Sequence, residues 1–141
     1  MKRFCQSPIV AGATYFLIVF LVAFALGVVR TSWLVPTIGA GPALAIELPL
    51  ILALSWHVCR GLVGRFGIGP EAGPRLLMGA TAFALLTAAE LLLSVVVIGQ
   101  SPGDFLRGYA TWLGAAGGLA QLVFAVFPLL QRKSLGDAGA S

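Results

Sequence analysis

The stretch Ile9–Val29, IVAGATYFLIVFLVAFALGVV, holds twenty-one residues and no charge. At 1.5 Å per residue a helix of that length covers about 30 Å, the thickness of a bilayer's hydrocarbon core. Pro8 suits its first turn, where a missing N–H costs nothing, and Arg30 closes it. Three further apolar stretches follow, at about 43–59, 75–98 and 109–130. Together they predict an all-α membrane protein: four transmembrane helices in a bundle, forming a single domain over residues 1–141. Lys2 and Arg3 ahead of the first run, with Ala23-Phe24-Ala25 inside it, resemble a secretory signal and its cleavage site. The run exceeds the roughly 7–15 residues of a signal's apolar region, so it reads as an uncleaved span.

Composition agrees. The chain is 59% hydrophobic and 10% charged, with a mean hydropathy of +0.99, whereas soluble domains carry about 25% charged residues. Four spans of about 20 residues each leave short links and no room for a soluble catalytic domain. The net charge is +4, but no basic cluster alternates with aromatics, which argues against nucleic acid as a partner. The lipid bilayer is the partner these numbers imply. Of nine basic residues, Lys2, Arg3, Arg60, Arg65, Arg75, Arg132 and Lys133 fall at one set of span ends, and only Arg30 and Arg107 at the other. The positive-inside rule reads this as both termini cytoplasmic. Cys5 and Cys59 then lie near a reducing compartment, where no disulfide is expected. They form no metal motif, and no apolar run precedes Cys5 as it would in a lipoprotein.

The links carry breakers. Thr31–Pro42 contains Pro36, Gly39, Gly41 and Pro42, with Trp33 where an interfacial aromatic belongs. Arg60–Pro74 is rich in glycine and reads as the cytoplasmic loop. Gln100–Arg107 reads as a short outer turn, and Gln131–Ser141 as a frayed polar tail. Gly12-Ala13-Thr14-Tyr15-Phe16 is echoed by Gly79-Ala80-Thr81-Ala82-Phe83, a pattern that two duplicated helical hairpins would produce. Such repeats would be parallel, because both begin on the same side.

Glu47 and Glu90 lie inside apolar stretches, where a lone charge costs a few kcal/mol or more. Counting along each helix, Glu47 lies roughly 20 Å from Arg60 and Glu90 roughly 22 Å from Arg75. The two acids are expected at nearly equal depth in the outer half of the membrane, with Arg30 able to reach them and Gln121 somewhat deeper. Three readings of this intramembrane polar site stand. Glu47 and Glu90 bind a proton or cation, tuned by Arg30. Alternatively, the polar residues lock four helices together, or they contact a partner subunit or lipid headgroups. His57, the only histidine, reads as interfacial, because one helix end offers too few ligands for a metal or haem. Ser55, His57 and Cys59 alternate along the helix and are expected to point in different directions. Gly114 and Gly118 form a G-x-x-x-G pair, suited to helix packing inside the bundle or across a dimer. No catalytic constellation, metal set or cofactor-binding motif is visible.

The pattern Tyr15-Phe16, then Leu26-Gly27 to Arg30, then Pro36, then Glu47-Leu48-Pro49 resembles an uncharacterised family of small four-helix proteobacterial inner-membrane proteins. The resemblance would cover nearly the whole chain, and it implies the bacterial inner membrane without implying a mechanism. Small multidrug transporters place their essential acid in the first helix, where this chain has none. The glycine and arginine pattern of fluoride channels and the polar helix of glutathione-metabolising membrane enzymes are also missing. The sequence therefore favours a non-enzymatic accessory or scaffold component, associated with other membrane subunits. The alternative is a small homo-oligomeric transporter or channel using Glu47 and Glu90.

Overall fold

The computed structural model describes residues 7–69 and 71–139, with side chains as far as Gln131. Helix α1 spans Pro8–Val29; the Ser7 hydroxyl accepts the Val10 N–H at 3.4 Å and caps it. The chain continues through a wide π-helical turn, Arg30–Leu34, into α2, Val35–Ile38. Gly39, at φ +92, ends this rod and begins α3, Ala40–Phe66. Backbone with that φ suits glycine, which has no Cβ to clash. Next comes α4, Ala72–Leu92, extended by a second π-helical turn, Leu93–Ile98. The short α5, Pro102–Gly108, precedes α6, Trp112–Gly139.

Four rods, Pro8–Ile38, Ala40–Phe66, Ala72–Ile98 and Trp112–Gln131, are long and apolar enough to cross a membrane. Large apolar side chains such as Leu21, Leu50, Leu76, Val96 and Leu119 project from their outer faces. Lipid can cover such side chains at no cost, so the architecture is that of a multi-pass membrane protein.

Several expected boundaries move. The link foreseen over Thr31–Pro42 is helical except at Gly39, because the wide turn ahead of Pro36 absorbs a residue that cannot donate. Helix α3 runs past Arg60, Gly61 and Gly64 to Phe66. Glycine inside a helix costs only about 1 kcal/mol each, and Leu62 and Val63 are buried between them. The outer turn after Gln100 forms α5, with Ser101 Oγ accepting the Asp104 N–H at 3.1 Å. The backbone stays helical through Gly139, where a frayed tail was expected. Gln131, expected in that tail, is buried, and its Nε2 donates to the Trp56 carbonyl at 2.8 Å. Cys5, Lys2, Arg3, Pro70 and the side chains of Arg132 and Lys133 lie outside what is described.

Helix α1 packs against α3 and α4, and α6 packs against the same two. Helices α3 and α4, consecutive in sequence, therefore stand at opposite corners. Arg75 at the start of α4 ties it to the residues that follow α3 and to α6. This arginine is 1% exposed. Its Nε donates to the Gly69 carbonyl at 2.8 Å, Nη2 to Ile68 at 3.1 Å and Nη1 to Pro128 at 3.1 Å. The sequence reading had Arg75 as a basic flank of a loop; it is a buried cross-link. The closely packed core, including Ala11, Tyr15, Cys59, Met78, Ala82 and Phe127, fills this half. Two glycines bring helices together there. A Cβ on Gly12 would meet the Met78 carbonyl oxygen at 2.5 Å, and one on Gly79 would strike the carbonyl of Ala125.

Candidate functional site

The other half is less full. A cavity of about 320 Å³ lies among α1, α3, α4 and α6, and Arg30, Glu47, Glu90 and Gln121 all line it. Apolar walls surround these four, with the rings of Phe20, Phe24 and Phe124 among them.

Each polar side chain arrives by a specific local feature. Arg30 opens the first π-helical turn, where the Val35 N–H bonds to the Arg30 carbonyl five residues back. Glu47 lies two turns into α3, and the reversal at Gly39 returns it toward the end of α1. Arg30 Nε and Glu47 Oε2 form an ion pair, with the carboxylate side chain 8% exposed and the arginine 28%. Glu90 sits in the last turn of α4, just ahead of the second π-helical turn. Wide turns of this kind often occur at functional positions.

Glu90 has different company. Gln121 Nε2 on α6 donates to Glu90 Oε2 at 2.5 Å. The Tyr109 hydroxyl lies 3.2 Å from the same oxygen and 3.5 Å from Gln121 Oε1, and its single proton serves one of them at a time. Burial raises the Tyr109 phenol above its ordinary pKa, and the neighbouring Glu90 carboxyl acts in the same direction. Tyr109 therefore remains a donor. Among the described residues no basic side chain pairs with Glu90, whereas Glu47 has Arg30. Nor does any described donor reach Glu90 Oε1.

Gln121, expected somewhat deeper than the acids, is bonded directly to Glu90. Arg30, considered as a bridge between two carboxylates, pairs with Glu47. Tyr109 is the member that sequence reading missed. The apolar pattern sets it at the start of the fourth span, yet it belongs to the turn between α5 and α6. Its neighbours explain the G-x-x-x-G pair. A Cβ on Gly114 would strike the Gly108 carbonyl, and one on Gly118 would meet the Tyr109 ring at 3.2 Å. These glycines make room for the turn that carries the tyrosine. Ser55 and Cys59, expected to diverge, are four residues apart on one buried face of α3, with exposed His57 turned away. The Ser55 hydroxyl donates to the Ile51 carbonyl at 2.7 Å, within its own helix.

No family model, curated protein or solved structure matches this chain. The chemistry of the cavity must speak for itself. Arg30 and Glu47 neutralise one another. Glu90 Oε2 accepts from Gln121 Nε2 and, in alternation with Gln121 Oε1, from the Tyr109 hydroxyl, while Oε1 meets no described donor and can take a proton or a cation.

Proposed function

We propose that this chain is a small bacterial inner-membrane transporter or channel, non-enzymatic and working as a homo-oligomer, in which Glu90 exchanges a proton for a cation. One observation carries the reading. An unpaired carboxyl group lines a cavity bounded by all four long helices. Ionisable groups at such depth are costly, and they characteristically mark ion and proton pathways. A scaffold needs polar residues only to hold helices together, and the Arg30–Glu47 pair serves that end. Four helices enclose too little space for a pore, hence the oligomer. Both termini are assigned to the cytoplasm on the distribution of basic residues. The four helices are read as a bundle of two duplicated hairpins on the echo of Gly12-Ala13-Thr14-Tyr15-Phe16 in Gly79-Ala80-Thr81-Ala82-Phe83.

The test is reconstitution of the full chain in liposomes with a trapped pH indicator, under an imposed cation gradient. The expected result is cation-driven proton movement that Glu90→Gln abolishes while leaving expression and monodispersity unchanged. Wild-type flux no greater than that of empty liposomes would overturn transport. Purification of the chain at fixed stoichiometry inside a larger assembly would then favour the accessory role.

A further inference from the structure

The cavity carries a second message in its walls, which rests on the transport reading and names the substrate class. An inorganic cation sheds its water only for several oxygen ligands at once. Here only Glu90 Oε1 and Glu47 Oε1 are carboxylate oxygens that meet no described donor, and only Glu90 lacks a counter-charge; most of the remaining wall is apolar, with three phenylalanine rings. Such a wall suits a cation that brings its own apolar body and spreads its charge. Substituted ammonium groups do this, and they are attracted to aromatic faces. Charge complementarity agrees, because the Arg30–Glu47 pair cancels and one acid is left over.

Access points the same way. A second cleft of about 460 Å³ lies between α4, α5 and α6. Gln121 lines both this cleft and the central cavity, and Tyr109 lines the cleft while touching Glu90. Leu106, Leu119 and Leu122 on its wall are more than half exposed, on the faces that lipid would cover. A water-soluble ion has no reason to approach by that route. An amphiphilic amine dissolved in the bilayer does.

We propose that the two clefts meeting at Gln121 form one site for a lipophilic monovalent ammonium ion, entering between α4 and α6 and held at Glu90. Its apolar body lies against Phe20, Phe24 and Phe124, and Tyr109 with Gln121 stands at the entrance. On binding, the protonated Glu90 carboxyl releases its proton to water and the carboxylate pairs with the ammonium. Discharge of the ammonium reverses the step, so charge is conserved.

The experiment measures saturable binding of radiolabelled benzyltrimethylammonium to the full chain in detergent. We expect binding that weakens as the buffer is acidified, because protons compete for Glu90. Glu90→Gln should lower affinity about tenfold or more, a loss of about 1.4 kcal/mol or more. The uncharged isostere neopentylbenzene should not displace the label, a comparison that needs no variant. Absence of saturable binding, undiminished binding to a monodisperse Glu90→Gln protein, or equal displacement by neopentylbenzene would each overturn the inference. Competing phosphatidylethanolamine and phosphatidylglycerol identify the source. Displacement by the first alone supports a lipid amine headgroup as the natural ammonium, and displacement by neither supports a free amine. If Glu90-dependent proton flux occurs with inorganic cations while benzyltrimethylammonium neither binds nor slows it, this inference falls and transport stands. If flux and binding are both missing, both fall.

Discussion

Replacing Glu47 by Gln leaves the Arg30 charge without its counter-charge in a poorly solvated setting. Breaking a buried pair from one side costs about 3 kcal/mol. Glu47→Leu and Arg30→Met, like Glu47→Gln, should each lower the thermal midpoint in detergent by several degrees, and Arg30→Met with Glu47→Leu together should recover most of the loss. A double variant as unstable as the sum of the singles would show that the two side chains act independently. Glu90→Gln should behave otherwise, because it removes no ion pair; little change in the midpoint is expected. At Arg75 three carbonyls share one guanidinium, and Arg75→Lys should be nearly as destabilising as Arg75→Met. An ammonium lacks the planar fork that serves several acceptors at once. Thermal unfolding of the two variants side by side checks this. That Glu47 and Glu90 would share one polar setting was legible from their matched depth in apolar runs, and both line the same cavity. Their different fates were not, because the partners come from α1 and α6, far away in sequence. Arg75 was misread for a related reason: a basic residue next to a loop usually faces water.

Helices in this chain are shaped by residues that cannot donate. Pro128 lies inside α6 and leaves the Phe124 carbonyl without its helical partner. The Tyr15 hydroxyl donates to that carbonyl at 2.9 Å, from α1. The two residues should therefore be coupled. Tyr15→Phe should cost about 1 kcal/mol in the native background and clearly less when Pro128→Ala restores the N–H, as a double-mutant cycle of stability would reveal. Equal cost in both backgrounds would mean that the hydroxyl serves some other end. Apolar length sufficed to locate all four long helices, to within a few residues at most ends. It failed at Thr31–Pro42, where proline and glycine suggested a loop. The wide π-helical turn carries the helix past Pro36 instead, and only Gly39 breaks it. Nothing in a list of residues announces such a turn, because it depends on which carbonyl each N–H selects.

Across the whole molecule the two halves are built for different ends. One is closed by Arg75, Gln131 and close helix contacts, and the other keeps an apolar-walled cavity that holds Arg30, Glu47, Glu90 and Gln121. Gly79→Ala sets a methyl group against the Ala125 carbonyl in the closed half. It should separate α4 from α6 at a cost of about 1–3 kcal/mol, visible as a lowered thermal midpoint. Gly118→Ala instead presses on the Tyr109 ring and should disturb the Glu90 site with a smaller effect on stability. The sequence pointed to neither contact, since it showed small residues without their neighbours. The account as a whole turns on whether Glu90 trades a proton for a cation. Infrared difference spectroscopy of the reconstituted chain, recorded as cation is added at constant pH, observes that exchange directly. The predicted result is loss of a protonated-carboxyl band in the wild type, a change that is missing in Glu90→Gln. A spectrum unchanged by cation, or a carboxyl band that still disappears in Glu90→Gln, would contradict it.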